Sequence, residues 1–176
     1  MLEFCSAEPV ERVFLDEAAR RGFGRMLATV ENGRVSALCH FGANVVPSGP
    51  GSGAFAKETA GSRARMIIGD ERAVTELWEA ARERVPPPRE DRPGQPVFAI
   101  TEAPEPGGSG LREAVPADLE LLLPACAATH EGEIGVDPLL VDAEGFRRRT
   151  RQQIDDGRSW VWIEGGTILF KAEASA

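Results

Sequence analysis

The sequence is poor in the residues that usually announce a reactive centre. Its 176 residues contain two histidines, His40 and His130, and three cysteines, Cys5, Cys39 and Cys126. Two distant histidines with no carboxylate at ligand spacing give no recognisable metal site. Three widely spaced cysteines form neither a disulfide framework nor a CxxC knuckle, and the default compartment is a reducing cytoplasm. Positive charge is scarce as well, with 20 Lys+Arg against 28 Asp+Glu and a net charge of −8. That balance argues against nucleic acid or an anionic membrane as a general partner, since both call for a basic face. No apolar run approaches the ~18 residues that span a bilayer. The opening stretch, MLEFCSAEPVERVF, has no basic n-region and no apolar h-region, so secretion is not expected.

What the chain does contain is a regular alternation of turns, strands and helices. Two strands, 25–30 and 34–41, flank Glu31-Asn32-Gly33, a hairpin turn because Asn-Gly tolerates positive φ. A helix over 9–21 precedes them, with Val10, Val13, Phe14 and Ala18 expected on its inner face and Gly22 and Gly24 ending it. A short strand over 42–47 leads into the Gly/Pro-rich loop Ser48–Gly53, then a short helix over 54–60 and a buried strand over 64–68. The clearest helix follows. Val74, Leu77, Trp78, Ala81 and Val85 make one apolar stripe, Asp70 is its N-cap, and Pro86-Pro87-Pro88 stops it. PVFAIT, 96–101, reads as another buried strand, and APEPGGSG, 103–110, as a linker.

The remainder is strand, helix, helix, strand, strand. Residues 110–115 are extended, Pro116 suits a first helical turn, and Leu119, Leu122, Leu123, Cys126 and His130 recur at helical spacing. A second helix begins near Asp142, its expected N-cap, and runs to Gly157 with Phe146, Thr150 and Ile154 on one stripe. Trp160–Ile163 and Thr167–Ala174 then form a hairpin around Glu164-Gly165-Gly166. Strict alternation places Ile168, Phe170 and Ala172 on one face of the last strand, with Leu169, Lys171 and Glu173 on the other. For Trp160 and Trp162, which share a face, core packing is the simpler expectation and an aromatic pocket wall the other.

In that order, GLREAVPADLELLLPACAATHEGEIG and DAEGFRRRTRQQIDDGRSWVWIEGGTILFKAEASA resemble the opening half of a GNAT N-acetyltransferase domain. The residues that carry the likeness are Glu133 and Gly135 after the first helix, Asp155-Asp156-Gly157-Arg158, and Phe170-Lys171-Ala172-Glu173. Gly42–Pro47 and Arg92–Pro96 resemble the DUF4081-type domain found at the N-terminus of some bacterial GNAT proteins. The resemblance implies a mixed-sheet α/β fold: a DUF4081-like, GNAT-like domain over 1–102, a linker over 103–110, and an incomplete GNAT domain over 111–176. It further implies a parent enzyme that moves an acetyl group from acetyl-CoA to an amine acceptor, a small molecule or a protein. The Arg/Gln-x-x-Gly-x-Gly/Ala turn of that family, which holds the CoA pyrophosphate at a helix N-terminus, has no counterpart after Glu173. The chain is therefore expected to be inactive by itself. The other reading is a non-enzymatic ligand-binding or dimerising module that accompanies a transferase. An uncovered last strand is also expected to favour self-association.

Within this frame Glu131, Glu133 and Glu173 are the candidate acceptor-side residues, because acetyl transfer needs an amine stripped of its proton and a carboxylate nearby serves as base. Solvated acids at a helix end, and a Glu173 paired with Lys171, are the simpler account of the same residues. Gly49, Gly51 and Gly53 are the candidate phosphate cradle. Pro50, which lacks an N–H, and Val46, where the family has Arg or Gln, speak for an ordinary surface loop. Arg147, Arg148, Arg149 and Arg151 read as a solvated basic face answering Asp155 and Asp156. One internal comparison stands apart from the family. At an offset of 133 residues, Gly24, Arg25, Glu31 and Gly33 coincide with Gly157, Arg158, Glu164 and Gly166, which suggests a duplicated hairpin.

Overall fold

The computed structural model describes residues 1–103, 105 and 110–174. It divides into two compact units, Met1–Glu102 and Ala103–Ser175. Most of the expected linker, 103–110, lies outside the described residues. Both units combine helices with a small antiparallel sheet, so the fold is mixed α/β.

In the first unit, helices α1 (Leu2–Ser6) and α2 (Val13–Arg21) precede strands β1 (Arg25–Glu31), β2 (Arg34–Phe41) and β3 (Val45–Ser48). The strands pair in sequence order, all antiparallel. A 3-10 turn (Ser52–Phe55), α3 (Ala56–Ala60) and α4 (Glu71–Ala81) complete it. Strand β2 is covered on both sides. Its Ala37, Cys39 and Phe41 pack with Phe55, Ala56, Leu77 and Ala81, while Leu38 packs with Cys5 and Leu15 from the first two helices. The period-2 pleat produces this split, since alternate residues face opposite layers. Asp70 caps α4 as expected, its carboxylate accepting the Ala73 N–H at 2.8 Å.

Three expectations for this unit are overturned. Val10 and Val13 are exposed and Leu15 is buried instead. Residues 9–12 form turns rather than helix, which rotates the stripe. Residues 64–68 contribute only a single parallel bridge, Val45 to Ile67, with Met66 and Ile68 exposed. Pro96–Thr101 is neither strand nor buried: Val97, Phe98 and Ile100 are 69%, 87% and 82% exposed. Strand-like composition specifies a segment that can pair, yet no edge among the described residues takes it up.

In the second unit, β4 (Leu111–Glu113), a 3-10 turn (Pro116–Asp118), α5 (Leu119–Ile134), α6 (Pro138–Asp155), β5 (Ser159–Glu164) and β6 (Thr167–Glu173) follow in order. The sheet runs β4-β5-β6, antiparallel throughout. Leu119, Leu122, Cys126 and Ala127 of α5 and Phe146 and Ile154 of α6 bury Val161 at the sheet centre. Helix α6 breaks at Asp142 (φ −156°, ψ 71°). There the carboxylate accepts the Gly145 N–H at 2.8 Å, so Asp142 caps the second segment as its sequence position suggests. At the head of α5, Asp118 accepts the Val115 N–H and a forked Arg112 guanidinium.

The face assignment of the last strand needs correction. Ile163 pairs with Ile168 and Trp162 with Phe170, leaving Leu169 as the extra residue of a β-bulge. Beyond a bulge the alternation inverts. Ile168, Lys171 and Glu173 therefore share the helix-covered face with Val161, opposite Phe170 and Ala172. Trp160 and Trp162 are half-buried on the side away from Val161, outside the main cluster.

Candidate functional site

The glycine-rich loop after β3 is where backbone donors converge. Gly51 is left-handed (φ 82°, ψ 15°) at the head of the 3-10 turn. A left-handed residue there turns successive N–H groups to one side, which makes a concavity for an anion. An anion is present, and it belongs to the protein. The Glu76 carboxylate, on α4, accepts the Gly51 N–H at 2.7 Å and the Ser52 N–H at 3.1 Å through one oxygen. Its other oxygen accepts from Arg72 at 2.9 Å. The Arg72 guanidinium first, and the Gly51 N–H next, hold the Glu76 carboxyl below its ordinary range. The Ser52 hydroxyl donates to the Gly49 carbonyl at 2.7 Å and is fully buried.

The three candidate glycines have different surroundings. A Cβ on Gly49 would meet the Ser36 carbonyl at 2.5 Å, so this residue lies tight on β2. A Cβ on Gly53 would stand 3.2 Å from the Glu76 carbonyl, against α4. Only at Gly51 is the space open. Beside the loop is a surface pocket of about 370 Å³ lined by Glu8, Glu11, Arg12, Gly49, Pro50, Asp70 and Arg72. Its three carboxylates outnumber its two guanidinium groups, and Arg12 is spoken for. Arg12 is buried, donating to Ser48 Oγ at 3.0 Å and the Phe4 carbonyl at 2.6 Å while paired with Glu8 at 2.7 Å.

A direct prediction concerns Glu76. Hydrogen exchange at the Gly51 and Ser52 amides is expected to speed up severalfold in Glu76→Ala, and less in Glu76→Gln, which keeps an acceptor. The protection is present above the ordinary glutamate pKa and fades as pH falls through the lowered one, because protonation removes the charged acceptor. Unchanged exchange in Glu76→Ala would mean that the carboxylate does not hold the loop.

In the second unit the three candidate glutamates do not form one cluster. Glu173 lies under the middle of α5, where Cys126 Sγ donates to its Oε1 at 2.9 Å and Lys171 Nζ donates to its Oε2 at 3.0 Å. Glu131 and Glu133 are exposed in the last turn of α5, five and seven residues beyond Cys126, or roughly 7 and 10 Å along the axis. The Cys126 thiol is pushed up to about 12, by burial first and by the Glu173 carboxylate second. It is a proton donor at neutral pH and not a nucleophile. Ser159, opposite Glu173 in the ladder, is buried, and its hydroxyl has no partner among the described residues. The basic run on α6 is a paired surface: Arg147 with Glu120, Arg149 with Asp142 and Arg151 with Asp155. A pocket of about 440 Å³ lies beside it. Among the described residues no His/Cys/Asp/Glu group could hold a metal, and no helix is long and apolar enough to cross a membrane.

The two hairpins are built alike. Gly24 and Gly157 are left-handed at φ 69° and 68°, Asn32 and Gly165 at 52° and 56°, Gly33 and Gly166 both at 78°. Each hairpin has a bulge with one extra residue, Ser36 in the first and Leu169 in the second. All of these pairs share the offset of 133 residues. A family model described as a domain of unknown function (DUF4081) matches residues 24–122. The chain belongs to the DUF4081 family. The match begins at the left-handed Gly24 and runs across the boundary between the units into α5. No curated protein and no solved structure matches this DUF4081 chain.

Sequence reasoning missed Glu76 and Cys126. The first reads as an i,i+4 partner of Arg72, which it also is, and its loop partners lie 24 and 25 residues away. The second reads as one more apolar position on α5.

Proposed function

We propose that this DUF4081 chain is part of an acetyl-CoA-dependent N-acetyltransferase, with the second unit forming the front half of a GNAT-type domain. The observation that supports this reading most is topological. Residues 111–173 run strand, helix, helix, strand, strand, with β4, β5 and β6 antiparallel in sequence order, as the resemblance implies. In the proposed reaction a neutral amine attacks the thioester carbonyl of acetyl-CoA. The C–N bond forms, the C–S bond breaks, and the one proton the amine loses passes by way of a base to the departing CoA thiolate, which leaves as the thiol. Glu173 is the acceptor-side carboxylate of this reading. An ammonium, that of Lys171, already sits 3.0 Å from it, which is the chemistry an amine substrate would present. Glu131 and Glu133 belong to the rim. The reading assigns the CoA diphosphate to backbone donors outside residues 1–176, and the first unit to a supporting role. The buried free thiols of Cys5, Cys39 and Cys126 support a reducing, cytoplasmic setting.

A specific observation favours a non-catalytic first unit. Two N–H groups of its glycine loop, those of Gly51 and Ser52, are filled by Glu76, so a diphosphate at Gly49–Gly53 would have to displace a carboxylate held by three hydrogen bonds. Calorimetric titration with acetyl-CoA tests both parts. The 176-residue chain is expected to give no heat of binding at millimolar ligand. Binding abolished by Gly51→Asp would place a working cofactor site in the first unit and overturn this assignment. A product of the same reading frame extended beyond Ala176 that releases no CoA thiol with any of a panel of primary amines would count against the transferase itself.

A further inference from the structure

Cys126, Ser159, Lys171 and Glu173 gather on the helix-covered face of the second sheet. Ser159 and Glu173 stand opposite each other in the β5–β6 ladder. The next pair along carries the backbone hydrogen bond, Ala174 N–H to the Arg158 carbonyl at 2.9 Å. Ser159 and Glu173 are therefore a non-hydrogen-bonded pair, the kind whose side chains lie closest. Both oxygens of the Glu173 carboxylate are in use. Cys126 Sγ donates to Oε1 at 2.9 Å and Lys171 Nζ to Oε2 at 3.0 Å. Ser159 is 1% exposed, and its hydroxyl has no partner among the described residues. A buried hydroxyl left unanswered is costly. Lys171 is tied to the same strand two residues from Glu173, and the reach that brings Nζ to Oε2 leaves Ser159 out. Arginine is the ordinary cation of this chain, and Lys57 and Lys171 are its only lysines. A lysine ammonium is a compact charge with three donors, unlike the planar arginine fork. The pair is not sealed from solvent: the Lys171 and Glu173 side chains are 15% and 26% exposed.

We propose that Glu173 and Ser159 form a binding site for a primary alkylammonium, that Lys171 is its internal occupant, and that withdrawing the Lys171 charge opens it. The ligand class follows from the two acceptors. A carboxylate oxygen and a hydroxyl oxygen together call for a cation that donates at least two hydrogen bonds, which a primary ammonium does and a quaternary one cannot. Cys126 keeps Oε1 engaged, so Oε2 is the oxygen presented to a ligand. While Lys171 is charged and in place, a second ammonium finds Oε2 taken and a like charge beside it. Neutralising Lys171, as acylation of its amine does, removes both obstacles in one step. The inference rests on the transferase reading for the ligand's role: the acceptor amine takes the place that Lys171 holds.

Amide-resolved NMR titration of the 176-residue chain with n-butylammonium chloride at neutral pH tests the site. Lys171→Met keeps the unbranched stem and loses the charge. Its dissociation constant is expected to be lower than that of the wild type by about tenfold or more, with the shifts centred on Ser159 and Glu173. Lys171→Arg, which keeps the charge, should stay closed. Adding Glu173→Gln or Ser159→Ala to Lys171→Met should weaken binding again. Tetramethylammonium, with the same charge and no N–H donor, should give no saturable shift. Spectral dispersion shows whether Lys171→Met folds, and Lys171→Gln, with the same loss of charge, carries the comparison if it does not. Equal affinity in the wild type and the neutral variant overturns the proposal. So does the absence of binding in both, or equally good binding of tetramethylammonium. The thiol-release assay on the extended product separates this proposal from the transferase reading. Amine binding at Glu173 with no thiol released keeps the site and removes the transferase. Thiol release with no gain in affinity on neutralising Lys171 does the reverse.

Discussion

Gly24→Ala is expected to destabilise the first unit by about 3 kcal/mol, whereas Gly157→Ala, its counterpart, costs the second only about 1–2 kcal/mol. The two glycines have the same backbone conformation, φ 69° and 68°, so the left-handed penalty of about 1–2 kcal/mol for an L side chain is common to both. Their surroundings differ. A Cβ on Gly157 would meet nothing within 4 Å, but on Gly24 it would lie 2.0 Å from His40 Nε2 and 2.8 Å from His40 Cδ2. The imidazole cannot retreat. Gly42 lies against its other edge, where a Cβ would stand 2.6 Å from Cε1, and the rings of Phe14 and Phe23 meet it edge-on at 5.0 and 5.7 Å. Overpacking of this kind adds roughly 1–3 kcal/mol. Urea unfolding of the two variants, followed at Trp78 for the first unit and at Trp160 and Trp162 for the second, gives the comparison. The clash also predicts coupling. Gly24→Ala combined with His40→Ala should cost less than the sum of the single changes, because the smaller side chain vacates the space that the new methyl needs. Equal losses at the two glycines, or strict additivity, would sink this account.

That contrast explains how much of the molecule was legible beforehand. The hairpins were, because Asn32-Gly33 and Gly165-Gly166 are residues whose backbone preference is local and strong. The caps at Asp70 and Asp142 were legible for the same reason. The bulges were not. Ser36 and Leu169 have no composition that marks them as extra, so the alternation rule carried Ile168 to the wrong face. Segment 96–101 failed differently. PVFAIT has the residues of a strand, but a strand is a relation between two segments, and only one of them can be seen in a window of sequence. Arg12 and Glu76 failed for a third reason. Each is a charged residue on or beside a helix, and its satisfaction comes from distant backbone and hydroxyl groups: Phe4 and Ser48 for one, Gly51 and Ser52 for the other. Long-range polar partners leave no periodic trace. The offset of 133 fared better because it compares two such neighbourhoods directly, and the shared φ values and bulges of the hairpins then accompany the four matched residues.

The pH dependence of stability should follow from His40. His40 is 4% exposed, and among the described residues neither ring nitrogen completes a hydrogen bond of good geometry. Burial pushes its pKa below the ordinary 6.5, and the nearby backbone of Phe23 and Asn44 only partly opposes that shift. The groups around it are apolar or backbone: Phe14 from α2, Phe23 and Gly24 before β1, Met26 across the ladder on β1, Val46 on β3, and Gly42. No charged side chain contributes to the shift. The sign then follows from linkage. Above pH 6.5 the imidazole is neutral in both folded and unfolded chains and stability is independent of it. As pH falls below 6.5 the unfolded chain takes up a proton that the folded one refuses, so stability declines until the folded-state pKa is passed. Stability of the first unit is therefore expected to begin falling as pH drops below 6.5, where most surface carboxylates are still ionised. His40→Leu removes the titrating group and should flatten the curve in that window, while His130→Leu, which alters the second unit, should leave the decline of the first unchanged. A decline that persists undiminished in His40→Leu would assign the acid sensitivity to other groups.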